Sequence, residues 1–159
     1  MADIHVDTDE TSLTLTALFA APPERVWQVW ADPRQLERWW GPPGYPATVV
    51  EHELTPGGAV TYFMTGPDGE RYPGWWRVTE ADTPRLLRLV DGFGEGPDDG
   101  GDLPTSSTTV TVEATEDGGT RMTLVGAYDS PEEFAKVMAM GMEEGITLAV
   151  SQIDTLLAE

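Results

Sequence analysis

Apolar and polar residues alternate strictly from Ser12 to Phe19, placing Leu13, Leu15, Ala17 and Phe19 on one face, the pattern of a half-buried strand. Ahead of it, residues 1 to about 10 read as a polar, frayed leader. After it, Pro22-Pro23 opens a short helix with Val26, Trp27 and Trp30 at helical spacing. Asp32-Pro33 then caps and starts a second, with Leu36, Trp39 and Trp40 on its apolar side. A series of strands and turns follows: Thr48 to Leu54, the Pro56-Gly57-Gly58 turn, a strand with Val60, Tyr62 and Met64 alternating, the Gly66-Pro67-Asp68-Gly69 hairpin turn, then Tyr72 to Glu80 and Leu86 to Phe93. Thr108 to Ala114 and Met122 to Tyr128 form a late hairpin around Glu116-Asp117-Gly118-Gly119. Connections this short dictate antiparallel pairing. Gly92 to Leu103, rich in Gly and Asp, reads as a surface loop.

The last segment predicts one long helix. Ser130-Pro131-Glu132-Glu133 is a capping box with proline in the first turn. Phe134, Val137, Met138, Met142, Ile146, Ala149, Ile153 and Leu156 recur at steps of three and four. From Pro131 to Ala158 such a helix runs roughly 42 Å at the standard rise. It needs a large apolar surface to lie on, and the antiparallel sheet is the only candidate. The expected organisation is α+β, with residues 11–159 as a single domain.

Composition narrows the partners. The 159 residues are 40% hydrophobic, enough for a packed core. The net charge of −19 disfavours nucleic acid and anionic membrane. The absence of cysteine removes disulfides, thiolate metal sites and cysteine nucleophiles, and suits the cytoplasm. No secretory leader and no bilayer-length apolar run are found. A single lysine, Lys136, with abundant Asp, Glu, Ala, Gly and Pro suggests a GC-rich bacterial genome or a salt-adapted organism.

Several motifs occur in a fixed order: Ala21-Pro22 with Val26-Trp27, Asp32-Pro33 leading to Arg38-Trp39-Trp40-Gly41-Pro42, Leu54 to Gly58, Gly66 to Gly69, Pro84-Arg85-Leu86, and Gly141-Met142-Glu143-Glu144-Gly145. Together they make the chain, from about Leu13 to Leu157, resemble the START-like (SRPBCC) superfamily, in the branch of homologues of the activator of the heat-shock protein 90 ATPase. The resemblance implies a helix-grip fold, a curved antiparallel sheet wrapped around a long C-terminal helix. It also implies an apolar cavity between sheet and helix. Many relatives carry tryptophan directly after the last glycine of the final motif, where this chain has Ile146, which implies an enlarged or reshaped cavity.

Given that fold, strand alternation and helix spacing nominate Trp40, Tyr62, Met64, Trp76, Phe93, Val112, Met138, Met142 and Ile146 as ligand-binding residues. The expected ligand is a small apolar or aromatic molecule, with no cofactor, no metal and no catalytic residue; a homodimer is left open. An enzyme of the polyketide cyclase or dehydratase type is the alternative. It would use His52 as acid–base group, on a face shared with Val50 and Leu54, with Tyr62, Tyr72, Asp91 and Tyr128 as orienting groups. No dyad or triad is recognisable among these. The two histidines, His5 and His52, have no metal-ligand spacing. A chaperone-binding domain is the third reading, implied by the family name.

Overall fold

A computed structural model of the chain describes residues 3–94, 96 and 104–159. Eight antiparallel strands form one sheet in the order β1-β2-β8-β7-β6-β5-β4-β3. They are β1 (Asp3–Thr8), β2 (Ser12–Phe19), β3 (Ala47–His52), β4 (Ala59–Thr65), β5 (Arg71–Asp82), β6 (Leu86–Phe93), β7 (Ser106–Ala114) and β8 (Thr120–Ala127). Helices α1 (Pro23–Ala31) and α2 (Pro33–Trp39) carry the chain from β2, near one edge, to β3 at the other. The C-terminal helical segment comprises α3 (Pro131–Met138), α4 (Met142–Ser151) and α5 (Ile153–Leu157). This is the helix-grip arrangement: a curved sheet with one apolar face closed over a C-terminal helical arm.

The inner face is written in the alternation of each strand. Leu13, Leu15 and Ala17 of β2 sit opposite Gly126, Leu124 and Met122 of β8. Those in turn oppose Thr108, Val110 and Val112 of β7. The sheet supplies half of the core, and α1 and α2 supply Val26, Val29, Trp30, Leu36 and Trp39, all fully buried. Both short helices start as their sequences dictate. Pro23 occupies the first turn of α1, and the Asp32 carboxylate accepts from the Arg34 backbone N–H at 2.9 Å.

Three expectations change. Asp3–Thr8 is not a frayed leader but the edge strand β1, paired along β2 from Asp3↔Leu18 to Thr8↔Leu13. Its alternating Ile4 and Val6 pack against the core, which a polar reading of the segment overlooks. The face assigned to His52 is also overturned. Register shifts between Val49 and Glu51, so Val50 is an extra residue in β3. Val49 is 4% exposed and Val50 65%, and His52 shares its face with Val49 and Val60, not with Val50. The loop expected from Gly92 to Leu103 lies mostly outside the described residues; Gly92 and Phe93 close β6.

The third change concerns the terminal helix, which is not one rod. The Ser130 hydroxyl caps α3 by accepting from the Glu133 N–H, as the capping box predicts. The helix then stops at Met138, and Gly141 takes φ +86° at the start of α4. That left-handed conformation suits glycine and strains any other residue. Gly141→Ala therefore destabilises the fold by about 1 kcal/mol. Gly145 has no positive φ and open space around its Cβ position, so Gly145→Ala stabilises α4 by about 0.5–1 kcal/mol. Urea unfolding of the two variants should give opposite signs.

Candidate functional site: an apolar cleft under the C-terminal helix

Helix α4 presents Met142, Gly145, Ile146 and Ala149, spaced i, i+3, i+4 and i+7, toward the inner face of the sheet. Between them lies a cleft of about 290 Å³. Its walls are mostly aliphatic and aromatic: Leu13 from β2, Met64 from β4, Phe93 from β6, Leu124 from β8, and Trp40 just past α2. Two glycines leave room. A Cβ on Gly126 or Gly145 would meet nothing within 4 Å, so each marks open volume rather than a close approach of backbones. Gly74 does the opposite. The Tyr62 ring lies across it, and a Cβ there would overlap the Tyr62 hydroxyl.

Of the residues nominated from sequence, Trp40, Tyr62, Met64, Phe93, Met142 and Ile146 line this cleft. Trp76, Val112 and Met138 do not. Trp76 shares the inner face but is 1% exposed, covered by Trp30, Trp40 and Tyr62 at ring-centroid distances of 5.8, 4.9 and 6.3 Å. Val112 lies further along β7, opposite Met122, whose sulfur accepts the Trp30 indole N–H. Met138 ends α3 ahead of the Gly141 break, so it packs beside the core instead of stacking one turn from Met142. His52 is also away from the cleft; its Nε2 lies 2.9 Å from the Trp30 carbonyl, pinning β3 to α1.

Asp91, one of the orienting groups of the cyclase alternative, also lines the cleft. On β6 it follows Leu87 and Leu89 on the inner face, between Trp76 on β5 and Ser106 on β7. Its carboxylate faces the cleft. It is half-buried, open only toward the cleft, and this loss of hydration pushes its pKa up to about 7. No hydrogen bond reaches the carboxylate from the described residues. Around it stand Tyr62, Ser106, Thr108 and Tyr128, forming one polar end to an otherwise apolar space. Ser106 and Thr108 engage each other at 3.2 Å. Burial, and then the Asp91 charge, raise the pKa of both tyrosines. The indole N–H groups of Trp40 and Trp76 approach the Tyr62 hydroxyl and oppose that rise, yet neither reaches hydrogen-bond geometry with an acceptor among the described residues. Among the described residues, no three His, Cys, Asp or Glu side chains converge to hold a metal ion, and no helix is long and apolar enough to cross a membrane.

A curved antiparallel sheet gripping a C-terminal helix over an apolar cleft defines a START-like protein. The family model described as activator of Hsp90 ATPase homolog 1-like protein matches residues 20–158, and the chain belongs to that family. It is similar to the crystal structure of protein Ms6760 from Mycobacterium smegmatis, with 52% identity, coverage of 99% of this chain and 97% of the other, and a TM-score of 0.86. A solution structure from Arthrobacter aurescens is 45% identical, covers 97% and 91%, and has a TM-score of 0.91. A crystal structure from Rhodobacter sphaeroides is 29% identical, covers 98% and 99%, and has a TM-score of 0.85. No curated protein matches the chain.

Proposed function

We propose that this protein is a cytoplasmic binder of one small apolar or aromatic molecule, held in the cleft between the sheet and α4. The observation that carries this reading is the unfilled volume over Gly126 and Gly145, walled by Leu13, Met64, Phe93 and Ile146. Good packing would have filled such a space, since an apolar void forfeits contacts on every side. At about 290 Å³ the cleft sits at the small end of ligand sites, suited to a body of roughly one to three rings rather than a long-chain lipid. The cyclase reading loses its acid–base group, because His52 bonds to the Trp30 carbonyl and does not border the space.

Fluorescence of aminoanthracene, a flat three-ring probe, tests the reading. Saturable, blue-shifted emission is expected from the wild type. Gly126→Leu projects a side chain into the empty volume and should weaken binding at least 10-fold, with the circular dichroism spectrum retained. Absence of saturable binding, or equal binding by a folded Gly126→Leu variant, overturns it.

A further inference from the structure

The cleft has a charge problem. Asp91 brings a carboxylate into an apolar space, and no described group donates a hydrogen bond to it. None of the nine Lys and Arg residues of the chain lines the cleft either. Most of the cations are engaged elsewhere. Arg25 binds Gln35 and the Leu156 carbonyl, and Arg34 binds the Val49 carbonyl. Arg38 pairs with Glu159, Arg85 with Asp82 and Arg88 with Glu80, while Arg71 lies over the Phe63 ring. An unpaired carboxylate in such a place is costly, and an arriving cation recovers that cost.

The walls suit the same guest. Trp40, Tyr62, Phe93 and Tyr128 offer ring faces and edges around the carboxylate end, and aromatic faces attract cations. The field of a chain with net charge −19 concentrates cations near the cleft mouth and repels anions. Resting on the cleft-binding reading above, we propose that the ligand is a lipophilic amine: an apolar or aromatic body seated between α4 and the sheet, with its protonated nitrogen paired to the Asp91 carboxylate. Above neutral pH the same charge repels fatty acids and other carboxylates.

The surroundings leave Asp91 as the group that decides charge within the cleft. Trp76 on β5 and Ser106 on β7 flank it in the sheet, and the described residues that share the cleft with it include Tyr62 from β4, Tyr72 from β5, Thr108 from β7, Tyr128 after β8, and Met142, Gly145, Ile146 and Ala149 from α4. Among the described residues that line the cleft, the tyrosines are the only other titratable groups, and both Tyr62 and Tyr128 stay neutral well above neutral pH. Protonation of Asp91 in mild acid therefore removes the pairing while an alkylamine keeps its charge.

Three probes with one body and different heads make the test: naphthylmethylamine, naphthylmethanol and naphthoic acid, titrated calorimetrically into the full chain. Near pH 8 the amine should bind at least 10-fold tighter than the alcohol, and the acid weakest. Near pH 5 the amine's advantage should collapse. Asp91→Asn should bring amine and alcohol affinities together at both pH values. Glu113→Gln, on the outer face of β7, should keep the preference and so separates local pairing from the field of the whole chain. If the alcohol binds as tightly as the amine near pH 8, or if Asp91→Asn keeps the preference, the amine assignment is overturned while the cleft-binding reading stands. If none of the three binds, the cleft reading fails and the amine assignment falls with it. The wild-type pH series requires no variant, so a poorly folding Asp91→Asn chain still leaves a decisive measurement.

Discussion

Asp91→Asn should raise the free energy of unfolding above neutral pH, by up to about 4 kcal/mol, and change it little near pH 4. The carboxyl ionises at about 7 in the folded protein, against 3.8 for an ordinary aspartate. The cause is lost hydration without a compensating partner. Below both values, folded and unfolded chains carry the same proton and the group contributes no penalty. As pH rises through 4 the unfolded chain releases its proton while the folded chain keeps it, so stability falls with pH. The fall continues until the folded group also ionises near 7, and above that the curve is flat. Asparagine has no proton to lose, and the variant lacks this slope. Water entering the cleft trims the effect below the stated ceiling. Other carboxylates slope the opposite way, because hydrogen bonds hold Asp9, Asp32, Asp117 and Glu159 below their ordinary values. Those are common to both proteins and cancel in the difference. Urea unfolding of the two chains across this range, without ligand, is the measurement. Parallel curves would show that Asp91 is hydrated after all. A saturating amine should narrow the gap above pH 7, because it supplies the missing partner to the wild type alone.

The strand pattern was legible from sequence because each strand buries one face and exposes the other. A period of two then survives in the residues, as in Leu13, Leu15, Ala17 and Phe19. Features that break the period were not legible. The extra residue in β3 changes which side chains share a face with His52, and neither Val49 nor Val50 announces which of them will be the bulge. The Gly141 break was hidden for a related reason: an apolar stripe at steps of three and four persists through Met138 and Met142 whether or not the helix bends between them. Had the helix run on, Met138 would have stacked over Met142 above the cleft. Asp91 was legible as an orienting group of the cyclase alternative but not as a residue of the binding cleft. It stands in the run Leu87, Leu89, Asp91, Phe93, where every other inward residue is apolar. A charge in that register is a readable signal of a buried polar site, stronger than a lone histidine on a strand near its end. Trp76 went wrong in another way. Alternation correctly turned it inward, but only packing decides whether an inward tryptophan meets a ligand or another tryptophan.

Trp76→Ala should cost about 3–5 kcal/mol, the range for removing a large buried aromatic. Trp76 joins Trp30, Trp39, Trp40 and Tyr62 in one mass of rings. Trp30 meets Trp39 edge to face at 4.8 Å, and Trp40 meets Trp76 the same way at 4.9 Å. Removing Trp76 takes the support from behind Trp40, which walls the cleft, so aminoanthracene binding should weaken along with stability. A second substitution separates ring packing from hydrogen bonding. The Trp39 indole N–H donates to the Val29 carbonyl at 2.8 Å, whereas the buried Trp76 N–H has no acceptor in hydrogen-bond geometry among the described residues. Trp39→Phe therefore loses a satisfied bond and strands a helix carbonyl, adding about 1 kcal/mol to the cost of a smaller ring. Trp76→Phe sheds a donor that was already unpaired, and its cost should be the smaller of the two. Chemical unfolding of both phenylalanine variants at one pH decides it. A Trp76→Phe variant that is less stable than Trp39→Phe would mean that its N–H bonds the Tyr62 hydroxyl in solution, and the polar end of the cleft would then be tied to the tryptophan cluster rather than held open for a guest.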